Sequence, residues 1–372
     1  MKLTIERAVL LKSLAHVQSV VERRNTIPIL SNVKLEGRDG TLGLNATDMD
    51  IEIQETVPAE VATPGVATAP AHTLYEIVRK LPDGSQVDME FSDQTQQLLL
   101  RSGRSKFTLS CLPVDDFPQI SGGELPHKFA LAADALKGLF ARAAFAMSTE
   151  ETRYYLNGIY MHTAQTEGVA VLRTAATDGH RLARVEAPLP EGAAGMPGII
   201  VPRKTVTELS RLLDESSDEV QVSVSDAKIR FALGSMVMTS KLIDGTFPDY
   251  ERVIPAGNDK TMEVGCKQFA QAVDRVSAIS TEKSRAIKMV LNSGVVTLSA
   301  SSAENSSAVE EVEALCETDR LEIGFNARYL LDILAQIEGD AVRFLLADSV
   351  SPTIVREVSE GNALYVLMPM RV

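Results

Sequence analysis

Apolar residues keep one rhythm in three separate stretches of this 372-residue chain. Residues 5–17, 131–143 and 264–276 place apolar side chains three and four apart, the spacing of one helix face. Leu10, Leu136 and Phe269 superimpose, as do Leu14, Phe140 and Val273. A second helical phrase recurs at 70–81, 202–213 and 326–337, aligning Leu74 with Val206 and Leu330, and Ile77 with Leu209 and Ile333. The offsets are 126 and 133 residues for the first phrase, and 132 and 124 for the second. Solenoid units repeat every ~20–50 residues, so this period means three similar domains.

The order of elements is the same in each third. A short alternating strand (2–5, 129–131, 262–264) leads into the first helix, and β-rich segments follow at 33–35, 42–45, 169–173 and 295–299. Then comes the second helix, preceded twice by proline (Pro70, Pro202), a residue favoured in a first turn. Further strands are expected at 87–91 and 98–101, at 220–224 and 229–233, and at 342–346 and 353–356. The tail 110–118 aligns with 240–248. Turn-rich segments at 119–127 and 254–260 put domain boundaries near 126 and 254, giving domains 1–126, 127–254 and 255–372. Short connections imply antiparallel pairing. Each unit is therefore α+β, two helices packed on antiparallel sheets.

Composition, 45% hydrophobic and 23% charged, is that of a globular protein, and no apolar run approaches the roughly 18–20 residues of a membrane helix. Glu6, Arg7 and Lys12 interrupt any signal-like core. Cys111, Cys266 and Cys316 are widely spaced, as reduced thiols would be, so a cytoplasmic location is expected. The net charge of −13 argues at first against nucleic acid. Its distribution reverses that. The six helical candidates (6–24, 71–80, 134–147, 202–213, 267–288, 326–338) hold 17 Lys/Arg and 9 Asp/Glu, a net of +8, leaving −21 elsewhere. Glu is as good a helix former as Lys or Arg, so propensity does not explain the segregation.

Few residues suggest chemistry. Asp178 and His180 in Ala176-Thr-Asp-Gly-His-Arg-Leu-Ala183 could act as an acid–base pair or as metal ligands of a phosphoesterase. The first third carries Asp48 at the equivalent place with no histidine nearby, which favours turn chemistry. The five histidines lack HxxxH or HxH spacing, and there is no P-loop, GxGxxG or GxSxG, so no catalytic residue, cofactor or metal is expected. Arg23 and Arg24 at the end of the first helix could serve its dipole or a phosphate. Arg203 and Lys204 sit at a helix N-terminus, where positive charge is unfavourable, and so stand out as functional candidates. Tyr154 and Tyr155 follow Arg153, and Met368 and Met370 close the chain as adaptable apolar groups or as a core strand.

Together these strings resemble the β subunit of bacterial DNA polymerase III, the sliding-clamp family. The resemblance is carried by Met1-Lys-Leu-Thr-Ile-Glu-Arg7, Thr26-Ile-Pro-Ile-Leu30, Arg101-Ser-Gly-Arg-Ser105, Arg153-Tyr-Tyr-Leu-Asn-Gly158, the string at 176–183, Ile200-Val-Pro-Arg-Lys204, the string at 240–250 and Tyr365-Val-Leu-Met-Pro-Met-Arg371. They span essentially the whole chain. The resemblance implies a head-to-tail homodimer forming a six-domain ring around double-stranded DNA, without catalysis or cofactor of its own. Twelve inner helices at roughly 8–10 Å spacing enclose an opening of about 20–27 Å once a helix diameter of roughly 11 Å is subtracted. B-DNA, about 20 Å wide with grooves roughly 8 Å deep, just passes.

By the same resemblance, the implied DNA contacts are Arg24, Tyr154, Tyr155, Arg203 and Lys204. A hydrophobic cleft would receive short peptide motifs from the replicative polymerase catalytic subunit, the clamp loader complex, and other polymerases and repair proteins. Its implied residues are Arg153, Leu156, Thr177, Gly179, His180, Arg181, Leu182, Pro248, Arg252, Val253, Val366, Leu367, Met368, Pro369, Met370 and Arg371. Ring closure would set Lys106, Phe107, Thr108 and Leu109 of one chain against Ala278 and Ile279 of another. The chain departs from the pattern at Glu150, a carboxylate where an amide can touch DNA, and at Ala278, smaller than the usual bulky aliphatic. Two rival readings are an Asp178/His180 phosphoesterase and a scaffold with no DNA role.

Overall fold

The computed structural model describes residues 1–24, 26–120, 122–215, 219–280, 285–302, 306–316, 318, 320–359 and 361–371. Six α-helices are found among them: α1 (Arg7–Val17), α2 (Ala71–Lys80), α3 (Ala133–Ala144), α4 (Arg203–Leu213), α5 (Cys266–Ser277) and α6 (Ala327–Leu334). Every one continues directly from a strand. Pro70 and Pro202 are thus the last strand residues, paired with Asn32 and Gly158, rather than first-turn residues. Asn326 caps α6 by accepting from the N–H groups of Arg328 and Tyr329. No helix is long and apolar enough to cross a membrane among the described residues.

The repeated phrases 5–17, 131–143 and 264–276 end within one residue of α1, α3 and α5, whereas four of the broader helical candidates overrun their helices. α1 stops at Val17 rather than 24, because the Ser19 hydroxyl takes the His16 carbonyl and the chain turns to bury Val20 and Val21. Arg23 and Arg24 therefore stand on an exposed bend, too far from α1 to serve its dipole; Asn25 lies outside the described residues. α5 stops at Ser277, and Ala286–Asn292, partly assigned to helix by the sequence reading, is a strand that buries Ile287, Met289 and Leu291 on alternate positions. Residues 281–284 lie outside the described set. α3 and α6 also end three or four residues early. The charge segregation survives these corrections. The observed helices hold twelve Lys/Arg against five Asp/Glu, a net of +7, and with the whole chain at −13 the remainder carries −20.

Of the twelve repeated apolar anchors, only Ile77 is not fully buried. They hold the helices on two sheets at once, since α1 in the first compact unit and α5 in the second each pack on strands of both local sheets. The first unit comprises Met1–Leu136, Pro190–Pro197 and Thr207–Leu242. Its five-stranded sheet runs Glu60–Thr63, Lys2–Glu6, Gln86–Ser92, Gln97–Ser102, Ser105–Ser110. Its eight-stranded sheet runs His127–Ala132, Glu219–Val224, Lys228–Leu233, Met236–Lys241, Ile51–Pro58, Thr41–Thr47, Asn32–Arg38, Gly65–Pro70.

The second unit comprises Lys137–Leu189, Gly198–Val206 and Ile243–Val372. Its nine-stranded sheet runs Ile199–Pro202, Gly158–Thr166, Val169–Thr177, Arg181–Pro188, Ala363–Leu367, Thr353–Glu357, Ala341–Leu346, Lys260–Gly265, Leu315–Cys316. Its four-stranded sheet runs Ser307–Glu313, Val295–Ser301, Ala286–Asn292, Leu321–Asn326.

One junction occurs twice. Met236–Lys241, the closing strand of the second third, pairs with Ile51–Pro58 of the first. Ala363–Leu367, the closing strand of the last third, pairs with Arg181–Pro188 of the second. Ile51–Pro58 and Arg181–Pro188 are repeat equivalents, each the fourth strand of its own third. The remaining equivalents are Ser105–Ser110, which closes the first third, and Ser307–Glu313, the fourth strand of the last. Both are outermost strands of their sheets among the described residues.

Candidate functional site

A threonine–aspartate turn builds the centre of the site. Asp178 Oδ1 accepts the backbone N–H groups of His180 (2.9 Å) and Arg181 (3.1 Å), and the Thr177 hydroxyl donates to the Arg181 carbonyl at 2.7 Å. The first third repeats this: Asp48 Oδ1 accepts from Asp50 (2.9 Å) and Ile51 (2.7 Å), and Thr47 donates to the Ile51 carbonyl at 2.8 Å. The shared aspartate is therefore turn chemistry. Asp178 Oδ2 accepts from Arg181 Nε at 3.0 Å, so this carboxylate serves fixed partners on both oxygens. At the turn's third position the backbone is left-handed in both copies, φ 90° at Gly179 and 82° at Met49.

The turn ends on the strand Arg181–Pro188, whose pairing with Ala363–Leu367 sets Leu182 opposite Val366 and Arg181 opposite Leu367. Leu156, Leu182 and Val366 join Ala175, Ile200, Phe247 and Tyr250 in one buried cluster. Pro248, Arg252 and Val253 flank the last two rings and are exposed; Arg252 pairs with Asp249 at 2.6 Å. Beyond Leu367 the chain stays ordered by donating from Met368 N–H to the His180 carbonyl (3.0 Å) and from Met370 N–H to the Gly324 carbonyl (2.9 Å). Met368 is 41% exposed, Pro369 and Met370 are half-buried, and Arg371 is exposed. Apolar floor, exposed apolar rim and flanking cations suit a short amphipathic peptide. Val372 lies outside the described residues.

Two arginines frame this floor differently. Arg153 makes a bidentate pair with Glu150 (2.6 and 2.8 Å), which lowers the Glu150 carboxyl pKa and raises that of Arg153; its Nη1 lies over the face of Gly179 where a Cβ would project. Arg181 is fixed. Its guanidinium donates to Asp178, to Asp332 and, at 2.8 Å, to the Phe145 carbonyl, and it lies 4.4 Å from the Tyr329 ring centroid and 5.1 Å from that of Phe145. His180 stacks on Tyr329 at 6.1 Å. Tyr329, Phe145 and Asp332 are site residues that the sequence reading omits. Tyr329, in the first turn of α6 beside the repeated apolar anchors, was the available signal. A cavity of about 500 Å³ opens beside these groups.

Tyr250 is held from behind. The His162 Nδ1 lies 3.0 Å from the Thr163 carbonyl and so carries the proton, leaving Nε2 to accept from the Tyr250 hydroxyl at 2.8 Å. Burial lowers the His162 pKa and raises that of Tyr250, keeping both neutral.

Of the candidate DNA contacts, Tyr154, Tyr155, Arg203 and Lys204 belong to the second unit and Arg24 to the first. The two tyrosines meet edge to face at 5.7 Å; Tyr155 packs on the buried cluster, whereas Tyr154 is 53% exposed. Arg203 donates from one nitrogen to the carbonyls of Met147 and Ser148, both at 2.7 Å, and burial lowers its pKa. The positive charge at the start of α4 is thereby compensated by carbonyl oxygens. Among the interface candidates, Lys106 and Thr108 are exposed on Ser105–Ser110, Phe107 is half-buried and Leu109 buried. Ala278 and Ile279 immediately follow α5.

Three descriptions of the DNA polymerase III beta subunit match along the chain: its N-terminal domain over residues 1–121, its central domain over 130–249 and its C-terminal domain over 251–371. The beta sliding clamp of Caulobacter vibrioides (strain NA1000 / CB15N) is 53% identical over 372 residues, covering 100% of both chains. The solved C. crescentus beta sliding clamp with PEG bound gives a TM-score of 0.98 at 53% identity, covering 100% of this chain and 99% of that one. A sliding clamp from Bartonella birtlesii bound to griselimycin gives 0.96 at 48% identity, with 100% of both chains covered.

The paired turns make the same left-handed demand on their third residue but meet it with different residues, Gly179 and Met49. Gly179→Ala is expected to cost about 1–2 kcal/mol, the penalty of a left-handed L-residue, while Met49→Gly is neutral or stabilises by up to about 1 kcal/mol. Denaturant unfolding of both variants checks this, and the reverse order contradicts it.

Proposed function

We propose, because the chain belongs to the DNA polymerase III beta subunit family of sliding clamps, that two copies close head to tail into a ring around double-stranded DNA. One observation carries the reading. The junction between a closing strand and the fourth strand of the neighbouring repeat is made twice within the chain, and its two halves are left over as outermost strands among the described residues. Ser105–Ser110 of one copy set against Ser307–Glu313 of another makes it a third time, and a second copy does the same in return. Such a heterologous contact yields a ring when its rotation closes.

The two strands are complementary. Lys106, with Arg101 and Arg104 of the same hairpin, would meet Glu310, Glu311 and Glu313, and Val309 is 67% exposed. Phe107 and Leu109 would pack against Ala278 and Ile279, with α5 tied to Ser307–Glu313 through Arg275 and Glu310.

Helices of net +7 suit phosphates without reading bases, and a remainder of −20 disfavours wrapping on the outside. Arg24, Tyr154, Tyr155, Arg203 and Lys204 are assigned to the DNA path. Glu150 is not, since its carboxylate serves Arg153. The domains divide near residues 126 and 254. The apolar floor and rim take peptide motifs of the replicative polymerase catalytic subunit, the clamp loader complex, and other polymerases and repair proteins. The chain acts in the cytoplasm as a non-catalytic tether and needs no cofactor; both Asp178 oxygens are already committed, which weighs against a phosphoesterase.

Two outcomes follow. Phe107→Ala with Ile279→Ala should sediment as the 40.3 kDa chain and the parent as twice that; a double variant that stays dimeric contradicts the seam. Removing residues 368–372 should preserve the dimer and weaken polymerase-derived peptides at least tenfold by calorimetry, about 1.4 kcal/mol; undiminished affinity contradicts the cleft.

A further inference from the structure

His16, on the last turn of α1, takes no part in the cleft, the seam or the DNA path. Its side chain is 7% exposed, and each ring nitrogen faces a carboxylate oxygen: Nδ1 lies 2.8 Å from Glu55 Oε2 and Nε2 lies 3.0 Å from Glu215 Oε2. Glu55 stands on Ile51–Pro58 of the first third with its side chain 8% exposed; Glu215 follows α4 of the second third and is about half exposed. An ionised carboxylate only accepts, and a neutral imidazole has a single N–H. Both contacts together require the imidazolium.

Lys12, one turn earlier on α1, lies 3.7 Å from the same Glu215 oxygen. A cavity of about 180 Å³ opens beside the three groups, where Leu233, Gly234, Ser235 and Met236 contribute nothing titratable. From α2 and Thr41–Thr47, which also pack on α1, no titratable group pairs with His16 among the described residues.

We propose that His16 is a proton-sensitive latch between the first and second thirds. Protonated, it bridges Glu55 to Glu215 and ties the end of α4 to α1. When the proton leaves to water, the ring keeps its remaining N–H on buried Glu55 and turns a lone pair toward Glu215, which is released to solvent. Lys12 cannot replace the tie, because exposed pairs contribute little.

Burial alone would lower the imidazole pKa, but the hydrogen bonds and charges of Glu55 and Glu215 outweigh it and hold the proton above the ordinary 6.5. The His16 hydrogen bond in turn keeps the Glu215 carboxyl below its ordinary 4.5. A raised histidine pKa gives stability that is complete below about 6.5 and lost as pH rises through the folded value. A depressed carboxyl pKa gives stability present above about 4.5 and lost as pH falls through its folded value. The latch is therefore tightest between these limits and opens on the alkaline side.

Hydrogen exchange of the full chain from pH 6 to 8.5, corrected for intrinsic rates, tests this. Amides of residues 207–215 should lose roughly tenfold protection over that range in the native protein, as expected for loss of a charged hydrogen bond. In Glu215→Ala, which removes the tie, the same amides should be weakly protected throughout. Carbon-13 NMR of the native histidines should show one ring titrating above 6.5, shifted down in Glu215→Ala. Flat protection in the native protein, or no histidine titrating above 6.5, overturns the proposal. These readouts require neither DNA nor a partner peptide, and the native protein alone decides should the variant fail to fold.

Discussion

Pairing of backbone edges between repeats governs this molecule. A strand edge presents a row of N–H and C=O groups that must find partners in protein or water. Two of these rows are matched inside the chain, where a closing strand lies along the fourth strand of the preceding repeat. Among the described residues the same two strand positions recur as outermost strands, one in the first third and one in the last. In the proposed ring another copy fills this junction, and the basic helices acquire a purpose that one chain does not supply.

The proposed peptide site grows from the same junction. Arg181–Pro188 is both the strand that receives the closing strand of the last third and the continuation of the Thr177–Asp178 turn. Aspartate here organises backbone, as its twin Asp48 does. His180 then becomes a ring stacked on Tyr329, beside an arginine anchored on two carboxylates. Fixed polar walls around an apolar floor suit the proposed selection of short motifs by shape, with Arg153, paired with exposed Glu150, as the adjustable part.

Much of the architecture could be read from the chain because each third repeats its anchors. Leu10, Leu136 and Phe269 are all fully buried, as the shared period requires. Helix ends were harder. Val17, Val20 and Val21 continue an apolar spacing, yet the last two are buried in a turn, so burial outlasted the helix. Residues 286–288 looked helical when joined to α5, whereas Ile287, Met289 and Leu291 alternate as a strand. The proposed seam role of Ser307–Glu313 is not legible in the chain, because alternating Val and Glu also describes a solvated edge. Its counterpart lies some two hundred residues away, where sequence spacing is silent. His16 was equally hidden, since Glu55 and Glu215 reach it from distant elements.

Topological retention tests the account most directly. Loaded onto a nicked circular duplex by its loader and ATP, the protein should remain through gel filtration in high salt and leave when a single cut makes the circle linear. Retention that survives linearisation, or loss from the intact circle as salt rises, would mean adhesion rather than linkage and would contradict the ring.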